Sequence, residues 1–271
     1  MVSVKASAAV SHVGRIRSNN QDSGYAGRRL FLVADGMGGH AGGDVASAIV
    51  TQRVAEADDD YASAIEASAA LEGALIAANR RLAETVSEHS ELTGMGTTAS
   101  ALLLLGDRVV IAHIGDSRIY LLRSGELSQI SIDHTFVQRL VDAGRITAEE
   151  AMVHPRRSVL MRVLGDVEAS PEIDMLLLDT RPGDRWLICS DGLSGVVSFD
   201  DLQTQLSADA GAKQVADRLV KASLDGGAPD NVTVVILDIG EPAAPATPPL
   251  VVGSEMCIRD SDGGAPWPPR P

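Results

Sequence analysis

The chain has 271 residues, a formal charge of −14 and 45% hydrophobic residues, enough for a substantial core but the wrong sign for general binding to nucleic acid or an anionic membrane. Cys189 and Cys257 are too few for a disulfide framework, which points to a reducing, cytoplasmic compartment. Residues 1–13 carry one lysine and no long apolar core, so they do not read as a secretory signal, and no run of about eighteen apolar residues suits a membrane span.

In chain order, loose alternation over residues 2–10 predicts a first strand, and 14–22 reads as a polar loop. Residues 30–34 form an apolar run, predicted to be a buried strand, which stops at Asp35 and a glycine-rich turn. Helices are expected over 41–57 and 61–88, the second with Ile65, Leu71, Leu75 and Leu82 at near-helical spacing. Asp58-Asp59-Asp60 between them reads as a solvated turn, and Arg28-Arg29 as a local basic patch. Strands over 97–105, 108–114, 118–123 and 127–130 follow. Gly106-Asp107 and Ser124-Gly125 are hairpin signals, so these strands are expected to form an antiparallel meander. Short helices over 136–143 and 147–152 lead to an irregular basic loop at 154–157. Strands over 172–178, 185–190 and 232–239 and helices over 200–206 and 212–224 complete the domain. Runs of strands with segregated helices read as α+β layers, not as an alternating parallel sheet. The domain is expected over 1–240, with a Pro/Ala/Gly-rich disordered tail over 241–271. Within that tail, 251–261 resembles a translated sequencing-adapter read-through, foreign to the natural chain.

Aspartates recur where strands end. Asp35-Gly36 follows one apolar run and Asp191-Gly192 another, Gly115-Asp116 follows a third, Asp230-Asn231 precedes the last strand, and Asp22 lies close to Arg17. A buried carboxylate needs a partner, and a hard divalent cation accepts carboxylate and carbonyl oxygens. Several such aspartates at one sheet edge suit two cations with a water between them, able to attack phosphorus in line. An arginine fork suits phosphate oxygens. Competing chemistries lack their residues. Gly36, Gly38 and Ala41 fit a relaxed dinucleotide fingerprint, but Asp35 points charge at the pyrophosphate and a helix follows the helix. No Walker A sequence or Gly-x-Ser-x-Gly elbow occurs, and Gly195 and Gly263 stand where a cysteine phosphatase needs arginine. No histidine or cysteine cluster suggests zinc.

With these motifs in place, the chain resembles the bacterial metal-dependent serine/threonine protein phosphatases, the PPM or type 2C family. The resemblance covers about residues 4–239. It is carried by Arg17-x-x-Asn20-Gln21-Asp22, Val33-Ala34-Asp35-Gly36-Met37-Gly38-Gly39, Gly96-Thr97-Thr98, Ile114-Gly115-Asp116-Ser117-Arg118, Asp133-His134-Thr135, Leu164-Gly165, Cys189-Ser190-Asp191-Gly192-Leu193 and Asp230-Asn231-Val232-Thr233. It implies a four-layer αββα sandwich of two antiparallel sheets flanked by helices, with a binuclear Mn²⁺ or Mg²⁺ centre at one edge. Asp35 is implied to bridge the ions, the Gly36 carbonyl to ligate one, Asp191 and Asp230 to complete the pair, and Asp22 to hold metal-bound water. A third, weaker ion is implied at Asp116, shared with Asp191. Arg17 matches the phosphate-binding arginine, and 133–165 matches a mobile flap whose Arg156-Arg157 faces either an acidic phosphopeptide or solvent.

The chain departs from many eukaryotic relatives in placing Met37 where they carry a histidine. His40 is the nearest histidine in sequence and the candidate general acid, the alternative being a metal-bound water. His113 and Cys189 read as core residues. The expected function is hydrolysis of phosphoserine and phosphothreonine in proteins by a monomer. Its partners are a Ser/Thr kinase and that kinase's substrates, with no nucleic acid and no membrane in this chain. The alternatives are a catalytically silent phosphoprotein-binding scaffold and a hydrolase of small phosphate esters.

Overall fold

The computed structural model describes residues 2–38, 42–165, 170–241 and 248–254. Its strands are β1 (Ser3–His12), β2 (Asp22–Ala26), β3 (Leu30–Met37), β4 (Gly96–Thr97), β5 (Ala99–Leu105), β6 (Arg108–Ile114), β7 (Arg118–Arg123), β8 (Glu126–Gln129), β9 (Asp174–Asp179), β10 (Arg185–Cys189), β11 (Val232–Gly240) and β12 (Leu250–Gly253). Its helices are α1 (Gly43–Ala55), α2 (Ala64–Glu88), α3 (Phe136–Asp142), α4 (Ala148–Met152), α5 (Asp191–Ser194), α6 (Phe199–Leu206) and α7 (Ala212–Asp225). Two antiparallel sheets form, in the orders β1-β11-β10-β7-β8 and β12-β2-β3-β5-β6-β9, with β4 pairing β3.

Side-chain alternation along each strand builds the layers. On β3, Leu30, Leu32 and Ala34 join the core under α1 and α2, whereas Phe31 and Val33 face the opposite sheet. On β11, Val232, Val234 and Ile236 join the core under α6 and α7, whereas Val235, Leu237 and Ile239 face inward. Trp186 and Ile188 of β10 fill the inter-sheet core with Phe31, Ile111 and Ile119. Strands apolar on both faces require cover on both faces, which gives the expected αββα sandwich. The α2 helix starts at Ser63, whose Oγ accepts from the Glu66 amide, and presents Leu71, Leu75, Ala78 and Leu82 as its buried stripe. Ile65 lies off that stripe and is exposed.

Several expectations need correction. The strands β5 to β8 are not one meander: β5–β6 pair in one sheet and β7–β8 in the other, and the chain changes sheet at the turn carrying Asp116. A strand forms at Asp22–Ala26, beyond the expected polar loop, although Asp, Ser and Gly are poor strand formers. Both its faces are covered, and a side chain at Gly24 would touch Thr233 and Val252. Leu250–Gly253, assigned to the tail, pairs with β2 as a further strand. Asp58 is not merely solvated: it accepts from the amides of Arg28, Arg29 and Leu30 and from the Tyr25 hydroxyl. Arg28 and Arg29 both pair with Asp60, and Asp58 and Asp59 stand nearby, so that patch carries its own counter-charge.

Candidate metal centre

The candidate residues come from different parts of the chain and meet where the two sheets end together. Asp22 opens β2 and stands directly opposite Asp35 near the end of β3. Asp191 begins α5 just after β10, Asp230 lies just before β11, and Asp116 sits in the turn between β6 and β7. Since β10 and β11 are antiparallel neighbours, the end of one and the start of the other fall at the same edge.

A hydrogen-bonded lattice holds these ends. The Asn231 amide Nδ2 donates to the carbonyls of Val13 and Asn19 (both 2.9 Å), and its Oδ1 accepts from the Gln21 amide (2.8 Å). The loop carrying Arg17 and Asp22 is thereby fastened to the start of β11. Ser190 Oγ donates to Asp22 Oδ2 (2.7 Å) and accepts from the Thr233 amide (2.9 Å). At β3, the Asp35 amide donates to Thr98 Oγ1 (3.0 Å), and Thr97 Oγ1 and the Thr98 amide donate to the Asp35 carbonyl (both 2.9 Å). Thr98 Oγ1 also bonds Ser117 Oγ (2.8 Å), linking this strand to the Asp116 turn. Two glycines permit the close approach: a Cβ on Gly36 would lie 1.9 Å from the Gly43 carbonyl oxygen, and one on Gly192 would lie 1.9 Å from that of Asn231.

The electrostatics are those of an acid cluster short of positive charge. Asp35 and Asp191 are close enough to disfavour each other's ionisation, which a proton or a cation between them relieves. Burial and the neighbouring carboxylates push Asp35 well above the usual carboxylate range, and Asp116 likewise. Burial raises Asp22 to about 7 and, with Asp230 beside it, Asp191 to about 6. Arg17 is the nearby cation; its Nη2 donates to Asp230 Oδ2 at 2.6 Å while half the side chain remains exposed. Arg118 is held by Asp133 in a bidentate pair (2.9 and 2.7 Å). The donor set is all oxygen, as Mn²⁺ and Mg²⁺ prefer, and its excess negative charge fits cations of that class. Among the described residues, no three carboxylate, imidazole or thiolate groups are drawn into a ready coordination shell. The aspartates share one electrostatic neighbourhood rather than one set of ligand distances.

The structure thus brings together Arg17, Asp22, Asp35, Gly36, Asp116, Asp191 and Asp230. His40 lies outside the described residues. His113 is a core residue: Ser100 and the Ile132 carbonyl bond its ring, and burial holds it down at about 4. Cys189 is buried, its thiol pushed up to about 12. Arg156 is exposed and lies over the Phe136 ring at 3.8 Å. Sequence reasoning gave no role to Asn231, Ser190 and Thr98, whose only signal was standing beside the aspartates or within a matched motif.

The class that this geometry defines is an αββα sandwich with a carboxylate cluster at the shared edge of its two antiparallel sheets. Residues 11–227 match the family model described as Protein phosphatase 2C, and the chain belongs to that family. It is 49% identical over 247 residues to the serine/threonine protein phosphatase PstP of Mycobacterium tuberculosis, covering 91% of this chain and 47% of that protein. The chain therefore spans about half the length of that relative. It is 34% identical over 233 residues to the serine/threonine phosphatase stp of Listeria welshimeri, covering 83% of this chain and 92% of that one. A crystal structure of the PstP catalytic domain in complex with two manganese ions superposes with a TM-score of 0.82 at 46% identity, over 89% of this chain and all of that one.

Proposed function

We propose that this chain hydrolyses phosphoserine and phosphothreonine in proteins at a centre that takes two Mn²⁺ or Mg²⁺ ions. The observation that carries the reading is the convergence of five aspartates on one sheet edge: Asp22 directly opposite Asp35 across β2 and β3, with Asp116, Asp191 and Asp230 at the neighbouring strand ends. Asp35 would bridge the ions, with Asp191, Asp230 and the Gly36 carbonyl completing the pair and Asp22 holding water. Asp116 with Asp191 would hold a third, weaker ion. Bound cations of this kind supply Lewis acidity, neutralising phosphate oxygens and lowering the pKa of water. Arg17 presents its remaining N–H groups to the phosphate while Asp230 fixes its orientation. In the reaction a bond forms from water oxygen to phosphorus, the ester P–O bond breaks, and the departing alkoxide takes a proton, for which His40 is the candidate donor.

The manganese-bearing relative and the similarity over most of this domain support a catalyst over a silent scaffold, because a scaffold predicts a lost ligand and each expected aspartate is present. The partners proposed are phosphorylated proteins and the Ser/Thr kinase that opposes the reaction; the state proposed is a cytoplasmic monomer. Among the described residues no helix is long and apolar enough to cross a membrane. Phosphate release from a phosphothreonine peptide, with Mn²⁺ and with EDTA, for wild type and Asp191→Asn, tests the reading. Turnover abolished by both EDTA and the substitution is expected; turnover surviving both would refute the metal argument.

A further inference from the structure

A cavity of about 410 Å³ opens between the segment 133–165 and the α5–α6 region, and Asp116 and Asp191 line it as well as the carboxylate cluster. That volume falls within the range of pockets that bury small ligands, about 300–1,000 Å³. Away from the aspartates an apolar patch forms part of its wall, with Val137 and Val141 on α3, Ala151 and Met152 on α4, and Phe199 and Leu202 on α6; Gln138, Arg157 and Ser198 are among its polar neighbours. This wall is only partly closed. The α4 helix buries no residue, α3 buries Val137 alone, and Met152 and Phe199 stay 69% and 44% exposed. Phe199 is nevertheless supported from behind by Tyr120, ring to ring at 6.3 Å. Apolar surface left open beside a polar reaction centre is a feature of binding surfaces.

The charged groups of the wall are largely engaged: Arg118 is bound bidentately by Asp133, and Asp116 and Asp191 are the residues proposed above to hold cations. Arg157, an exposed residue, is the remaining charged group of the lining, so the apolar patch on α3, α4 and α6 is the surface left to receive an uncharged side chain.

We propose that this cavity receives an aliphatic or aromatic side chain of the phosphorylated protein, from a residue within about three positions of the phosphorylated serine or threonine. Phe199, Met152 and Val141 are then specificity-determining contacts. The inference rests on the phosphatase reading above. Continuity supports it: the same two aspartates border the reaction centre and the cavity, so a chain whose phosphate is at one has its neighbouring residues at the other.

The test is a panel of phosphothreonine peptides in an alanine background, with one leucine walked from three residues before to three residues after the phosphothreonine. Rates are measured with Mn²⁺ for wild type, Phe199→Ala and Met152→Ala, beside p-nitrophenyl phosphate, which has no flanking residue. The quantity read is the ratio of kcat/KM for each leucine peptide to the all-alanine peptide within one variant, so changes at the reaction centre or in folded fraction divide out. At one position wild type should favour leucine about tenfold or more, and both substitutions should bring that ratio toward one. A wild-type ratio near one at every position would overturn the inference, as would a preference that both variants retain. Absence of Mn²⁺-dependent turnover on p-nitrophenyl phosphate and peptides alike would overturn the phosphatase reading itself, and this inference with it.

Discussion

Asn231→Asp changes almost nothing in volume and reverses the hydrogen bonding at one point. In the native chain Nδ2 donates to two carbonyls, of Val13 and Asn19, and Oδ1 accepts from the Gln21 amide. Asn231 is 4% exposed, so water replaces these bonds poorly. An aspartate still accepts from Gln21, but its second oxygen faces two carbonyl oxygens it cannot bond. A buried carbonyl left unsatisfied costs about 1–3 kcal/mol; Val13 is half-buried and Asn19 exposed, so the substitution should remove about 1–3 kcal/mol before any cost of the added charge. A domain of ordinary stability has about 5–15 kcal/mol to lose. Urea unfolding followed by far-ultraviolet circular dichroism measures the loss as a lower midpoint at unchanged slope. The released loop carries Arg17 and leads into Asp22, so kcat/KM on a phosphopeptide should fall at least about tenfold in the folded variant. A variant within about 0.5 kcal/mol of wild type, or one destabilised but fully active, would refute the claim that this amide positions the loop.

Gly192→Ala puts a Cβ 1.9 Å from the Asn231 carbonyl oxygen, a backbone atom with little room to move; a loss of about 1–3 kcal/mol or more, read as a Tm lower by about 5–10 °C, is expected. Arg17→Lys keeps the charge but loses the planar fork, and kcat/KM on phosphopeptides should drop by about one to two orders of magnitude. His113 titrates at about 4 in the fold against an ordinary 6.5, because burial disfavours the imidazolium beside His134, despite Asp133 and Asp174 nearby. The unfolded chain therefore binds more protons between those values, and stability falls as pH drops through 6.5, by up to about 3 kcal/mol near pH 4. His113→Asn should flatten that part of the fall; a difference between the two urea-unfolding curves that does not change with pH would refute the assignment.

The aspartates were legible in sequence because each stands at the end or start of an apolar run, where a buried carboxylate has no bland explanation once several occur together. The sandwich was legible for a related reason: runs such as Phe31 to Ala34 and Val232 to Ile236 are apolar on both faces and need cover on both. What was not legible depended on contacts between distant segments. β2 hides in the residues Asp22, Ser23 and Gly24 because its strand character comes from burial between α1 on one side and the β1–β11 pair on the other, not from propensity. Asp58 looks like part of a solvated acidic turn, and only the fold brings the amides of residues 28 to 30 to it. Asn231, Ser190 and Thr98 look like ordinary neighbours of aspartates until their partners from other loops arrive.

The same contacts explain how the fold tolerates a cluster of acids at its edge. Like charges opposite one another on β2 and β3 oppose the pairing of those strands. Two features offset this. The inter-sheet core below is built mainly of apolar side chains, with Phe31, Val33, Trp186, Ile188, Val235 and Leu237 buried, so the sheets are fixed to each other independently of the edge. The edge itself is fastened by neutral side chains, those of Asn231, Ser190, Thr97 and Thr98, which bond backbone and one carboxylate without cancelling the cluster's charge. Had lysines or arginines done this fastening, the ends would be equally ordered and the excess negative charge would be gone. The chain keeps the charge at Asp35, Asp116 and Asp191 and orders the backbone by other means, an arrangement that only a ligand of opposite sign makes useful.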